Sequence, residues 1–118
     1  MIHKYERAIA SLEKEYTEAT KHDEGKARLD LIPPQALMDI AEVLAYGAEK
    51  YSDHNWRENG GMEYSRLYAA AQRHMLSFWD GRTLDSETGM SHLAHAACCI
   101  IFLMSYESED IGRDDRCI

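Results

Sequence analysis

The sequence is poor in helix-breaking residues and has no apolar run of membrane-spanning length. Its 118 residues include only two prolines, adjacent at Pro33 and Pro34, and no segment alternates apolar and polar residues with the period of a strand. No stretch reaches the roughly 18 uninterrupted apolar residues of a membrane-spanning helix. The N-terminus is charged throughout and lacks the apolar region of a signal peptide. We therefore expect an all-α, cytoplasmic protein that does not bind a membrane.

Cysteines and basic residues are also few. The three cysteines are the adjacent pair Cys98 and Cys99, and Cys117, a pattern that indicates no disulfide framework. The 13 Lys and Arg residues face 21 Asp and Glu residues, which gives a net charge of −8. Because no basic excess is available to displace phosphate counterions, we expect no binding to DNA or RNA polymers. A small phosphorylated ligand would need metal ions to bridge it to the carboxylates of the protein.

Several common catalytic motifs are absent as well. The sequence has no Gly-x-Ser-x-Gly elbow, no paired zinc-type cysteines and no GxGxxG loop, and its "DEGK" is not a Walker A loop. Cys98 and Cys99 lie within an apolar segment, so neither is expected to be a nucleophile. Any chemistry must therefore come from the histidines, carboxylates and basic residues.

Four segments with helical periodicity remain, enough for a single domain over residues 1–118. The expected helices cover residues 2–20, 34–51, 62–80 and 91–107, in a compact bundle of about four helices, and a polar tail follows over 108–118. Pro34 suits the first turn of the second helix. In the third helix, the apolar residues predicted to be buried are Tyr64, Leu67, Tyr68, Ala71, Met75, Phe78 and Trp79.

The last predicted helix is apolar nearly all round, which is typical of a helix in the middle of a bundle or in a subunit interface. Its His92 and His95 are three residues apart and about 60° apart around the axis. Two interpretations are open. The imidazoles converge on one metal ion or phosphate, or each bonds a backbone carbonyl or a tyrosine in the core.

Asp39, Glu42 and Glu49 form an acidic stripe on the second predicted helix. A solvated helix face explains such a stripe, and a cation site is the rival explanation, since carboxylates on adjacent turns hold Mg²⁺ or Mn²⁺ in helical bundles. Glu42 is central in the stripe and is the first candidate ligand.

The basic residues Lys26, Lys50, Arg66 and Arg73 are singly typical of a protein surface. Arg66 and Arg73 share a helix face seven residues apart, and His74 lies at the edge of the apolar arc. Asn55 and Trp56 stand in a predicted loop, where Trp56 either stacks on a base or packs on the core.

Four segments in this order resemble the small phage dATP/dGTP diphosphohydrolase family of the MazZ type, which is related to MazG-like all-α nucleoside triphosphate pyrophosphatases. They are "DEGKARLDLIPPQAL", "AEVLAYGAEKYSDHNW", "YSRLYAAAQRH" and "SHLAHAA". The resemblance covers residues 21–107, most of the chain. Its most specific parts are Gly47-Ala48 with Lys50-Tyr51, Asn55-Trp56, Arg73-His74 and the run from His92 to Ala96.

The resemblance implies a MazG-like helical fold completed by oligomerisation, as a homodimer or homotetramer, with the site between helices or subunits. It implies cleavage of purine dNTPs, dGTP or dATP, to the monophosphate and pyrophosphate with Mg²⁺ or a similar divalent ion. The broader group uses E-x-x-E and E-x-x-D helices, and the counterparts here are Asp39-x-x-Glu42 and His92-x-x-His95. Imidazoles suit Mn²⁺, Co²⁺ or Zn²⁺ better than Mg²⁺.

Taken together, the sequence predicts a metal-dependent nucleotide pyrophosphohydrolase in the host cytoplasm of a phage. Its expected catalytic residues are Glu42, His92 and His95, and its expected metal ligands are Asp39, Glu42, Glu49, His92 and His95. The expected substrate contacts are Lys26, Lys50, Asn55, Trp56, Arg66, Arg73 and His74. The alternatives are a phage protein that binds a nucleotide without cleaving it, and a purely structural helical oligomer.

Overall fold

The structure, a computed structural model, describes residues 15–118 and is all-α, as the sequence predicts. Its helices are α1 (Pro34–Lys50), α2 (Tyr64–Trp79) and α3 (His92–Glu109). Two short 3-10 helices cover Leu29–Leu31 and Asn55–Gly60. Residues 15–118 contain no β-strand, only the isolated bridges Glu63–Arg113 and Leu84–Ser91. None of the described helices is long and apolar enough to cross a membrane.

The ends of the three helices lie close to the predicted positions, and local chemistry explains the starts of α1 and α3. Pro34 opens α1, where its missing N–H is not needed for a helical hydrogen bond. Ser91 caps α3, and its hydroxyl accepts a hydrogen bond from the N–H of Ala94 at 3.2 Å. Asp110 ends α3 in the left-handed conformation, with φ of 54°.

The predicted first helix, residues 2–20, lies mostly outside the described residues. Its described part, residues 15–20, is not helical and is exposed. The predicted helix end at Thr20 is therefore wrong. The polar side chains of this stretch contact no buried apolar surface, so tertiary packing does not stabilise a helix there.

Helix α3 contacts both α1 and α2, in agreement with its apolar sequence. Its small side chains Ala94 and Cys98 are buried and pack against Val43 of α1. The Cys98 thiol lies 3.6 Å from the backbone oxygen of Ile40. Small residues at this contact let the two backbones approach closely, which places the start of α3 deep in the protein.

The apolar arc of α2 is only partly buried. Leu67 and Ala71 are buried, whereas Tyr68, Met75 and Trp79 are exposed, Trp79 to 87%. The prediction that the whole arc is buried is therefore wrong within residues 15–118 of a single chain. Helical periodicity identifies an apolar face, but it does not specify what covers that face.

The C-terminal segment folds back on the start of α2 through Tyr106. This side chain is fully buried. Its hydroxyl donates a hydrogen bond to the carbonyl of Trp56 and accepts one from the N–H of Met62, the latter at 3.0 Å. Gly112, at φ of 76°, lies so close to the Tyr106 ring that an added Cβ would stand 2.6 Å from ring carbon Cδ2.

The predicted polar tail, residues 108–118, is thus partly helical and partly bonded to the rest of the protein. Helix α3 continues to Glu109. Beyond it, the N–H of Tyr64 donates to the carbonyl of Arg113 at 2.9 Å, and the N–H of Ser65 donates to the Asp115 carboxylate at 2.9 Å. These bonds connect the end of the chain to the first turn of α2.

Replacing Tyr106 with Phe should destabilise the protein by about 1–3 kcal/mol, because the Met62 N–H and the Trp56 carbonyl lose a buried partner. Urea unfolding followed by circular dichroism measures this change. Tyr68→Phe is the matched control, since Tyr68 is exposed and, within residues 15–118, its hydroxyl accepts a hydrogen bond only from the Gln72 side chain, at 3.2 Å. Its free energy of unfolding should change by less than about 0.5 kcal/mol. Equal losses in the two variants would contradict the role of the Tyr106 hydroxyl.

Candidate functional site

Three side chains with metal-binding chemistry meet where α2 and α3 are joined. His74 comes from the last part of α2, Asp85 from the connecting loop, and His92 from the first position of α3. The Nδ1 atoms of the two histidines are 3.0 Å apart, and the Asp85 Oδ2 atom is 4.0 Å from Nδ1 of His74. One donor atom from each residue lies within 4.8 Å of the other two.

The connecting loop is held in one shape by its own hydrogen bonds. Oδ1 of Asp85 accepts hydrogen bonds from the N–H groups of Glu87 and Thr88, both at 2.9 Å. The Asp85 backbone also bonds Met90 and Gly89, each at 2.8 Å. Gly89, at φ of 70°, supplies the conformation that closes the turn. One carboxylate oxygen of Asp85 is therefore used by the loop, while the other faces the histidines.

His95 lies one helical turn beyond Ser91, on the same side as the three donors. Its ring stacks on that of His74, with centroids 4.6 Å apart and planes 9° apart. Its Nε2 shares a hydrogen bond of 2.8 Å with the hydroxyl of Thr88, which also accepts from the N–H of Met90 at 3.1 Å. The loop that carries Asp85 thus also orients His95.

The surroundings favour the neutral imidazoles of His74 and His95 and the ionised carboxylate of Asp85. Burial lowers the pKa of His74, and repulsion from His95 lowers it further, against the attraction of Asp85. Burial likewise lowers the pKa of His95. Burial alone would raise the pKa of Asp85, but hydrogen bonds from the N–H groups of Thr88 and Glu87 outweigh it and hold the pKa below its usual value. Neutral imidazoles and an ionised carboxylate are the forms that bind metal ions or accept protons.

The structure brings together three of the predicted site residues: His74, His92 and His95. His74 is predicted from the sequence as a substrate contact, and Asp85 is not among the predicted site residues. The signal for Asp85 was present in "DSETG", because an Asp followed closely by polar residues and Gly is a pattern for a turn closed by the Asp side chain. Nothing in the sequence alone places that turn beside the histidines.

The acidic stripe is not part of this cluster. Across residues 15–118, the one group of three possible metal donors is His74, Asp85 and His92, without Asp39, Glu42 or Glu49. Asp39 is half-buried and accepts a hydrogen bond from the Gln35 side chain at 2.8 Å, while Glu42 and Glu49 are exposed. The metal role of the three carboxylates stays a prediction.

Arg66 and Arg73 line a shallow groove of about 560 Å³ on α2, whose floor includes the small residues Ala69 and Ala70. In the described part of the chain, neither guanidinium forms an ion pair. Arg73 also lies near the histidines, since its charge makes a small contribution to the pKa of His74, after burial and repulsion from His95.

The other predicted substrate contacts are dispersed. Lys26 is exposed in a turn closed by its N–H bond to the carbonyl of Asp23 at 3.1 Å, and Lys50 is exposed at the end of α1. Asn55 is exposed, but Trp56 is half-buried. The Trp56 ring stacks on Phe102 with centroids 4.8 Å apart and planes 11° apart, so it packs on the core, as one of the two interpretations holds.

A second groove, which the sequence analysis did not identify, adjoins the arginine groove. It measures about 490 Å³ and shares Ser65 with the first groove. Its lining includes the rings of Tyr64 and Tyr68 and the carboxylates of Glu107 and Asp115. Aromatic rings beside carboxylates offer both a stacking surface and hydrogen-bond acceptors.

The fold and cluster define an all-α protein with a candidate metal-binding site of two histidines and an aspartate. Comparison with known sequences gives the family. The family described as dATP/dGTP diphosphohydrolase, N-terminal, matches residues 16–116, and the chain belongs to it. This confirms the family resemblance found in the sequence.

A relative named dATP/dGTP diphosphohydrolase, from Salmonella phage PMBT28, is 40% identical over 96 residues. The match covers 81% of this chain and 32% of the relative. The chain therefore spans about a third of the length of that relative. No solved structure matches the chain.

Replacing Thr88 with Val should release His95 from the connecting loop, because Val fills the same space but offers no hydroxyl to Nε2. The ring ¹⁵N chemical shifts of His95 in NMR spectra should move, and thermal unfolding should show a loss of about 1 kcal/mol. Thr88→Ser is the matched control and should keep shifts close to those of the unmodified protein. Identical His95 shifts in the Val variant would show that this hydrogen bond is absent in solution.

Proposed function

We propose that the chain acts in the metal-dependent hydrolysis of purine deoxynucleoside triphosphates, dGTP or dATP, to the monophosphate and pyrophosphate. The observation that carries the proposal is the convergence of His74, Asp85 and His92 in a chain of this family. The name of the phage relative supports the choice of substrate and reaction. The groove that Arg66 and Arg73 line on α2, the helix that also carries His74, supports an anionic ligand.

The basic residues would offset the repulsion between an acidic protein and a triphosphate. With a net charge of −8, the chain must supply local positive charge wherever a polyphosphate binds. Arg66 and Arg73 are suited to this because they line one groove and their guanidinium groups can bond phosphate oxygens in pairs. Lys26 and Lys50 are the further candidates, and both are exposed.

The donor set fits a divalent cation, because two imidazoles and a carboxylate lie within reach of one point. Such an ion, when bound, supplies charge neutralisation of the phosphates and makes a water molecule more acidic. His95 lies beside the three donors and is held by Thr88. We assign His95 the role of the general base, which takes the proton of the attacking water. The water oxygen bonds the α-phosphorus, the bond to the α–β bridging oxygen breaks, and pyrophosphate leaves.

The groove around Tyr64 and Tyr68 is the proposed site of the base. Trp56, the base contact expected from the sequence, already stacks on Phe102. The tyrosine groove adjoins the arginine groove at Ser65, so a nucleotide lying along α2 would place its base and its phosphates in neighbouring grooves. Asn55 stays a candidate for hydrogen bonds to the base.

A second candidate function is nucleotide binding without cleavage. It is favoured by the departure from the four-carboxylate pattern of the MazG-like group, because His92 and His95 stand where that pattern has carboxylates. In this case the grooves would hold the nucleotide without cleaving it. Glu42 and the rest of the acidic stripe would then be a solvated helix face.

We further propose that the chain self-associates. Large apolar side chains exposed on α2 support this, chiefly Trp79 at 87% and Leu76 at 64%. Clusters of exposed apolar residues are typical of surfaces that bind other protein surfaces.

Turnover should be seen when the purified chain is incubated with dGTP or dATP and Mg²⁺, Mn²⁺ or Co²⁺, with monophosphate and pyrophosphate in equal amounts. Replacing both Arg66 and Arg73 with Gln should raise KM at least about tenfold, because each lost phosphate contact is worth about 1.5–3 kcal/mol. Arg28→Gln is the control, since Arg28 is exposed and paired with Asp30 at 2.8 Å.

Nucleotide binding without turnover would contradict hydrolysis and support the second candidate function, binding without cleavage. If the chain neither binds nor cleaves these nucleotides, both candidate functions are contradicted.

Trp79→Ser should reduce the mass measured by size-exclusion chromatography with light scattering, because it removes the most exposed aromatic ring of α2. Tyr51→Ser is the control, an exposed aromatic residue at the end of α1. A monomeric mass for the unmodified chain at all concentrations would contradict self-association.

A further inference from the structure

We infer that His74, Asp85 and His92 are the ligands of a metal centre that selects a transition ion such as Mn²⁺, Co²⁺ or Zn²⁺ over Mg²⁺. The inference names the ion and ligands of the function proposed above. It rests on the geometry of the cluster, however, and its test measures binding of the metal alone.

The spacing of the donor atoms fits a single ion. Metal–ligand bonds of about 2.0–2.2 Å place neighbouring donors roughly 3–3.5 Å apart around the ion. The two Nδ1 atoms of His74 and His92 are 3.0 Å apart, within that range. The Asp85 Oδ2 atom is 4.0 Å from Nδ1 of His74, and one donor atom from each of the three residues lies within 4.8 Å of the other two, so the Asp85 side chain must move closer by roughly 1 Å to complete the set.

A hydrogen bond between the two histidines explains less of this arrangement than a bound metal ion does. Such a bond needs one donating and one accepting nitrogen, and it would leave Oδ2 of Asp85 directed at the pair without a role. His92 is buried, at 6% exposure, and its ring needs a partner that does not depend on solvent. A cation between two lone pairs and a carboxylate satisfies all three groups together.

The chemistry of the donors determines the class of ion. Mg²⁺ prefers six oxygen ligands and keeps several waters, so two imidazoles are a poor match for it. Imidazole with carboxylate suits Zn²⁺, Mn²⁺, Co²⁺ or Fe²⁺. No cysteine belongs to the donor group, and burial raises the pKa of the Cys98 thiol to about 11.

The hydrogen bonds around the cluster orient its ligands in advance. Oδ1 of Asp85 is bound by two backbone N–H groups of the connecting loop, which points Oδ2 at the histidines. Hydrogen-bond partners of this kind raise metal affinity, because the ligands then lose less conformational freedom when the ion binds. They also make Asp85→Asn a specific test, because this variant keeps an oxygen that accepts the hydrogen bonds of the loop but loses the charged ligand.

The test is a titration of the chelator-treated chain in a Cys117→Ser background, which removes the exposed thiol. Co²⁺ is followed by its visible absorption, and Zn²⁺, Mn²⁺ and Mg²⁺ by calorimetry. We expect one ion per chain and a dissociation constant for Co²⁺ or Zn²⁺ at least tenfold below that for Mg²⁺. Asp85→Asn and His74→Gln should each weaken Co²⁺ binding at least tenfold, with circular dichroism unchanged.

His54→Gln is the matched control, an exposed histidine outside the cluster, and should bind Co²⁺ as tightly as its background. Equal Co²⁺ affinity in Asp85→Asn and in its background, or tighter binding of Mg²⁺ than of Co²⁺, would overturn the inference. Tight Co²⁺ binding without nucleotide turnover would support the centre and contradict hydrolysis. Turnover with Mg²⁺ that is unaffected by Asp85→Asn would support hydrolysis and overturn the centre.

Discussion

The packing of α3 against α1 and α2 is the contact on which the rest of the structure depends. Ala94 and Cys98 are small enough for the helix backbones to come close, and they are the centre of the buried core with Val43. This close approach carries the first turn of α3 out of solvent, and with it His92. A buried imidazole must find a partner, so the same packing that stabilises the fold creates the need for a polar site.

The connecting loop between α2 and α3 supplies this polar site. Its turn is closed by hydrogen bonds to Asp85, and the turn also brings Thr88 to His95. One short segment therefore positions both a carboxylate and an imidazole, and the end of α2 adds a second imidazole, His74. The site consists of contacts between neighbouring elements in the chain, which is why a chain with a modest core can hold it.

The helices are unevenly buried. Tyr106, near the end of α3, is fully buried where the C-terminal segment returns to the start of α2. By contrast, the outer face of α2 exposes Met75 and Trp79. A second protein surface on that face would bury apolar area that the described chain leaves in water.

The sequence by itself determined the helical class, the limits of three helices and the family, because these follow from local periodicity, from Pro34 and Ser91 at helix starts, and from contiguous motifs. It also put His92 and His95 on one side of a helix, since they are three residues apart. Only the tertiary structure decided that Asp85 lies beside His74 and His92 and that Trp56 packs on Phe102. Those pairings depend on how the loops return against the helices, and sequence spacing carries no information about contacts between separate elements.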